Sequence, residues 1–425
     1  MSDSSQLIDT EDILEDVSLE SDNIMGLSTN EKKEEIVKTK KIKKDTPTPD
    51  EINQMSDDEI IEHAEKSDDE EANEIYDEFF GSLDTNDKII TDKAEKIFCP
   101  TGINILDASL GGGFVIGGLT ILVGSPGCGK SMVAMQTIAQ AQRKLKDCCM
   151  VVYVDTEEST TSERLSMLGV NKPKIKPITQ LTLEQVFKVI DNLCKFKEAK
   201  NMVEKPAVVV WDSIANTLTE KEFEIDDPNS AIGYKARLLS LYLPQYIRKC
   251  SQYNIGLIAV NQLRDNIQMG MFTPPRDLKF LSSNKTIPGG NSLKFNAFHL
   301  LEMKIKSSLD TSKYSFDGIE VVAKCVKNKA FRPNIDVKLI GNFTRGFSNF
   351  WTNYVFLVDT KRLKSGAWNY LINCPTEKFR TKDAPMKYNE NMLFREAFDK
   401  EVEDAIKTEI IEKYTGEEIK ASFDY

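Results

Sequence analysis

Histidine is almost missing from this sequence: His63 and His299 are the only two in 425 residues. The eight cysteines are scattered, no CxxC occurs, and Cys148-Cys149 is not a metal-ligand spacing. A Cys/His zinc site is therefore not expected, and the cysteines read as buried apolar residues of a reducing compartment. No apolar run reaches membrane-spanning length and no secretory leader is present, so the expected setting is the cytoplasm, with no membrane partner. Internal repeats are also lacking, which excludes solenoid and propeller architectures.

The net charge of −12 conceals two opposite halves. Residues 1–95 carry 10 Lys and Arg against 30 Asp and Glu, while residues 96–425 carry 45 against 37. The acidic excess is confined to the first segment and the body is net basic, which suits a polyanionic partner. Residues 1–70 are polar, acidic and without sustained period, and are expected to be disordered. Within them Lys38–Lys44 is a basic island. It reads foremost as a solvated charge run, with a nuclear signal or a DNA-tethering patch as the functional alternative. Residues 71–96 read as a linker or oligomerisation segment, with Ile75, Phe79 and Phe80 on or near one face of a short helix.

From about residue 97 apolar runs alternate with helical periods. Strands are expected at Leu119–Val123, Met150–Val154, Ala207–Trp211 and Ile255–Val260, and helices at Ser131–Lys146, Ser162–Leu168, Leu183–Phe196 and Ala236–Gln252. Short apolar runs of this kind suit strands buried on both faces of a mostly parallel sheet, giving an α/β, doubly wound core over 97–342. Ala297–Ile305, Gly318–Val326 and Ile335–Ile340 are expected to extend that sheet in antiparallel fashion. Residues 343–425 read as a small α+β region ending in a charged helix over Met392–Tyr414.

The most specific motif lies where the first of these strands meets its helix. Gly124-Ser125-Pro126-Gly127-Cys128-Gly129-Lys130-Ser131-Met132 follows an apolar strand and opens a helix. Backbone N–H groups of such a loop, with the positive helix end, hold nucleotide phosphates. Lys130 reaches the outer phosphates and Ser131 ligates Mg²⁺, so ATP and Mg²⁺ are the expected cofactors. Asp212, ending a second apolar strand, is placed to hold the same Mg²⁺. Glu157, after the strand Met150–Val154, is a candidate general base for an attacking water. Gln262 ends the strand Ile255–Val260 and can report the γ-phosphate. Leu263–Pro288 then forms a long aperiodic loop carrying Arg264, Arg276, Lys279 and Lys285 interleaved with Met269, Met271 and Phe272. Basic groups with apolar wedges suit a nucleic-acid strand.

Asn261-Gln-Leu-Arg264, Met271-Phe272 and Thr286-Ile-Pro-Gly-Gly-Asn-Ser-Leu-Lys-Phe295 resemble the second DNA-binding loop of RecA-type recombinases and the segment after it. Thr101-Gly-Ile-Asn-Ile-Leu-Asp107, Leu110-Gly-Gly-Gly113, Ile232-Gly-Tyr-Lys-Ala-Arg237, Val326-Lys-Asn-Lys329, Leu357-Val-Asp359 and Ser365-Gly-Ala-Trp368 match in the same order. The resemblance spans about 97–370. It is similar in style to the UvsX-like phage members, partly because Pro244 interrupts the helix before Asn261.

The resemblance implies a RecA-like ATPase core and a DNA-dependent ATPase. It implies a homo-oligomeric helical filament on single-stranded DNA, with ATP between subunits, promoting pairing and strand exchange with double-stranded DNA. A single-strand-binding protein and a loader are the implied partners, in the host cytoplasm if the chain is phage-encoded. By the same resemblance Arg164 stacks on adenine, and Lys327 and Lys329 act on a neighbouring subunit's nucleotide. Ile232 and Phe272 are apolar wedges of two DNA loops, about Glu222–Ile232 and Leu263–Pro288. Arg264 binds phosphate, and Arg237, Gly289 and Gly290 contact the strand backbone. Four departures stand out: residues 273–285 have no clear counterpart, the first loop is acidic, the acidic extension is N-terminal, and Pro244 is expected to kink its helix. A ring motor of the same fold and a non-catalytic ATP-binding paralogue remain the alternatives.

Overall fold

Residues 96–145, 150–224, 233–265, 281 and 285–413 are described by the computed structural model. The acidic N-terminal segment, its basic island, the short helix expected to carry Ile75, Phe79 and Phe80, the expected loop wedges Ile232 and Phe272, and residues 414–425 lie outside the described residues.

The central strands are apolar at consecutive positions because both of their faces are covered. They are β1 (Leu119–Gly124), β2 (Met150–Asp155), β4 (Ala207–Asp212) and β5 (Ile255–Gln262), whereas β3 (Pro177–Thr179) is a short, largely exposed strand at the sheet edge beside β2. Alternate residues belong to different cores. Val208 and Val210 join one hydrophobic cluster, while Ala207, Val209 and Trp211 join the other. That is the period-2 alternation of a strand sandwiched between two helical layers.

The sheet continues through β6 (His299–Ser308), β7 (Gly318–Asn328), β8 (Asp336–Asn342) and β9 (Gly346–Phe347). Its nine strands run in the order β9-β8-β7-β6-β1-β5-β4-β2-β3. The antiparallel extension expected after residue 290 needs one correction. β6 lies parallel to β1, with Leu301 opposite Leu122, and the antiparallel pairing begins only at β7. β6 is buried over His299–Met303, where Leu300, Leu301 and Met303 supply its apolar side chains, and becomes mostly polar and exposed beyond.

Helices α1 (Lys130–Lys144), α2 (Ser162–Met167), α3 (Leu183–Ala199) and α4 (Tyr234–Gln252) connect the parallel strands. α3 starts on a capping box. Thr182 Oγ1 accepts from the Gln185 N–H at 3.2 Å, and Gln185 Oε1 accepts from the Thr182 N–H at 3.0 Å. α4 runs through Pro244, which is exposed, so the ring faces solvent on one continuous helical element. Beyond β9, α6 (Asn349–Asp359, after α5 at Asn291–Asn296) packs on β8. The C-terminal α+β region follows, with the strands Leu363–Lys364, Asn369–Leu371 and Cys374–Phe379 in a three-stranded sheet. The last helix differs from expectation: α7 spans Met392–Ile406, and Lys407–Glu412 continues it in π geometry. Cys99, Cys128, Cys194, Cys250 and Cys325 are buried, as their scatter suggested, and Cys374 is half-buried.

Candidate nucleotide site and its neighbours

The C-terminal ends of β1, β2, β4 and β5 stand at one level. Gly124 pairs with Gln262, Asp155 with Asp212, and Asp212 with Val260. Crevices at this edge of an open α/β sheet are where ligands bind. A cavity of about 410 Å³ opens there. That is within the ~300–1,000 Å³ usual for small-molecule sites.

The loop Ser125–Gly129 joins β1 to α1 and forms one wall. Gly129 is required on two counts. Its φ is +86°, and a Cβ would lie 2.6 Å from the Phe347 ring. Phe347 in turn is clasped by α1. Its N–H donates to Gln136 Oε1 at 2.9 Å and its carbonyl accepts from Gln136 Nε2 at 2.8 Å. The outer strand β9 thus braces the loop from behind. Inside the loop the buried Lys130 ammonium donates to the Gly124 carbonyl at 3.1 Å and the Ser125 carbonyl at 2.9 Å.

Asp212 is buried, and its peptide bond to Ser213 is cis. Oδ2 accepts from the Tyr153 hydroxyl at 3.2 Å, whereas the buried Oδ1 has no partner at hydrogen-bonding geometry among the described residues. Burial pushes the Asp212 carboxyl up to about 6. The charges of Glu157 and Asp155 add to this, and the hydroxyls of Ser131 and Tyr153 oppose it. An orphaned carboxylate oxygen beside the Ser131 hydroxyl is the donor set that suits a hard cation. The residues present therefore fit Mg²⁺.

Glu157 is exposed at the mouth of the cavity. Its Oε1 accepts from Ser213 Oγ at 2.6 Å and from Gln262 Nε2 at 3.2 Å. The candidate base and the candidate γ-phosphate reporter are therefore in direct contact. Next to Gln262, Asn261 turns the other way: its Nδ2 donates to the Pro288 carbonyl at 2.8 Å. The end of β5 thus touches both the cavity and the far end of the long loop.

A family model described as the RecA N-terminal domain matches residues 81–348. The chain belongs to the RecA family. It is 29% identical over 272 residues to Protein RecA of Malacoplasma penetrans (strain HF-2), covering 64% of this chain and 76% of that protein. It is 27% identical over 305 residues to Protein RecA of Mycoplasmopsis pulmonis (strain UAB CTIP), covering 71% and 84%. A third relative, the mitochondrial DNA repair protein recA homolog of Dictyostelium discoideum, is 32% identical over 246 residues, 57% of this chain and 49% of that protein.

In this RecA-family chain Gly127, Gly129, Lys130, Ser131, Met132, Pro126, Glu157, Arg164, Asp212 and Gln262 all line the one cavity. Lys327 and Lys329 do not line it. Lys327 Nζ donates to the carbonyls of Lys294 at 2.8 Å and Phe295 at 2.7 Å, capping the C-terminal turn of α5. Lys329 is exposed just past β7. Arg237, in the first turn of α4, and Arg264 are both exposed. Gly289 and Gly290 lead into α5 at φ +96° and +83°. A Cβ on Gly289 would come within 2.8 Å of Leu239 and Leu293, so its smallness is needed for packing.

Sequence reasoning missed Phe343, which sits exposed between β8 and β9 and lines the cavity with Ile319. No phosphate-site motif marks it, since the hairpin that brings it there is tertiary. It also missed Ser213, whose position directly after Asp212 was the available signal.

Proposed function

We propose that this RecA-family chain is an ATP-dependent DNA recombinase, forming a filament on single-stranded DNA and promoting homologous pairing and strand exchange. The observation that carries the reading is the end of β5. Gln262 contacts the candidate base Glu157, and its neighbour Asn261 holds Pro288, where the long loop returns. A γ-phosphate that draws Gln262 away from Glu157 acts on one end of that loop, and so couples nucleotide state to DNA affinity.

In this reading Gly124–Met132 cradles the phosphates, Lys130 moves from the loop carbonyls to the outer phosphates, and Arg164 lies against adenine. Ser131 and Asp212 would hold Mg²⁺, which neutralises phosphate charge when bound. Glu157 takes the proton of the attacking water. Lys327 and Lys329, standing off their own chain's cavity, serve the nucleotide of the next subunit. Arg237, Arg264, Gly289, Gly290, Ile232 and Phe272 meet DNA, with base pairing rather than protein contacts reading homology. The organisation into 1–70, 71–96, 97–342 and 343–425 assigns oligomerisation to the second segment. A phage UvsX-like setting, with a single-strand-binding protein and a loader, suits Pro244 within α4.

The test is the ATPase rate with and without single-stranded DNA, for wild type and Lys327→Ala/Lys329→Ala. Strong stimulation by DNA, lost in the double variant while ATP binding persists, is expected. Stimulation that survives the double substitution counts against a shared site and in favour of a ring motor. A wild-type chain that binds ATP without hydrolysing it is a regulatory paralogue.

A further inference from the structure

Glu157 is exposed on a loop, and a glutamate there has several rotamers open to it. Ser213, by contrast, is wholly buried and its backbone is held on every side. Its N–H donates to Thr156 Oγ1 at 3.0 Å. Its carbonyl accepts from Thr217 Oγ1 at 2.8 Å, and that hydroxyl accepts from Trp211 Nε1 at 2.7 Å. The following N–H, of Ile214, donates to the Val260 carbonyl at 2.9 Å, tying the turn to β5.

From this anchored backbone Ser213 Oγ donates to Glu157 Oε1 at 2.6 Å, in the short range of bonds to a charged acceptor. Gln262 Nε2 reaches the same oxygen at the longer 3.2 Å. Both donors converge on Oε1, which directs Oε2 to other partners. We propose that Ser213 is a positioning residue for ATP hydrolysis, fixing the Glu157 carboxylate so that its second oxygen is presented to the attacking water. The inference rests on the reading of Glu157 as general base. In that reading Gln262 leaves for the γ-phosphate, and Ser213 is the donor that stays.

Ser213→Ala removes one atom and keeps the backbone bonds. With saturating single-stranded DNA its kcat is expected to fall about tenfold, the scale of one lost bond to a charged group. KM and the affinity for a fluorescent ATP analogue should move less than about twofold, as for an interaction made in the transition state. In a Glu157→Gln background, where no base remains to be positioned, adding Ser213→Ala should change the residual rate no further. An unchanged kcat in Ser213→Ala overturns the proposal, as does a tenfold loss repeated in the Glu157→Gln background. Loss of analogue binding or of the thermal transition also overturns it, because Ser213 then serves the fold. Full hydrolysis by Glu157→Gln removes the base reading and this inference together. An inactive Glu157→Gln beside an unaffected Ser213→Ala removes the inference alone.

Discussion

Asp212 combines a burial that is unfavourable for the fold with a proposed role that depends on its charge. Burial raises its carboxyl to about 6 from an ordinary 3.8, so the folded nucleotide-free chain holds this proton more tightly than the unfolded chain does. Stability from this group is therefore greatest below about 3.8 and declines as pH rises through about 6. Asp107, buried and raised to about 6, acts in the same direction. Asp212→Asn removes the uncompensated charge without changing shape. The nucleotide-free variant should melt above wild type at pH 8, by at most about 3 kcal/mol of stability. The gap should close towards pH 4, measured by thermal unfolding at both pH values. In the proposed reading the same proton competes with a cation at Oδ1. Mg²⁺-dependent binding of a fluorescent ATP analogue to wild type should weaken as pH falls through about 6, and Asp212→Asn should lose the Mg²⁺ dependence. A variant that melts below wild type at pH 8 would show that the carboxylate is satisfied in the empty fold.

Between the residue and the molecule, the elements divide into those that announce themselves and those that do not. The strands β1, β2, β4 and β5 were legible because burial on both faces leaves an apolar run that stops at a non-apolar residue: Gly124, Asp155, Asp212 and Gln262. The cavity loop was legible because glycine, lysine and serine at fixed spacing have few other uses. β6 was harder to orient, since an apolar strand carries no mark of the direction of its neighbour. Phe343 and Phe347 were invisible because their proximity to the loop depends on pairing β8 with β9, far along the chain. Gly289 shows the opposite difficulty, a residue with a plausible ligand role and an equally strong packing role. Gly289→Ala forces a side chain at φ +96° into Leu239 and Leu293. A destabilisation of about 2 kcal/mol is expected without any DNA present. Amide exchange should rise through α5, the element that Lys327 caps. Unchanged stability with weakened DNA binding would assign this glycine to the DNA instead.

At the scale of the whole chain the dominant fact is the separation of charge, 30 acids against 10 bases in residues 1–95 and 37 against 45 in residues 96–425. On sequence charge alone, a polyanionic stretch joined to a basic body is expected to compete with DNA for that body. The competition is intramolecular, at an effective concentration set by the length of the tether. It is also electrostatic, so salt weakens it over a Debye length of about 8 Å at physiological ionic strength. Deleting residues 1–70 is therefore expected to raise affinity for single-stranded DNA at about 50 mM salt by roughly tenfold and to leave it nearly unchanged at about 300 mM. The truncated chain should show a steeper fall of affinity with salt, because the full-length protein exchanges one set of anions for another while the truncated one releases only small counterions. Fluorescence anisotropy of a labelled oligonucleotide across a salt series measures both quantities. Equal affinities at both salts would leave the acidic segment no role in DNA access. A uniform change at every salt would point to an effect on subunit association instead, since only a charge competition fades as ions are added.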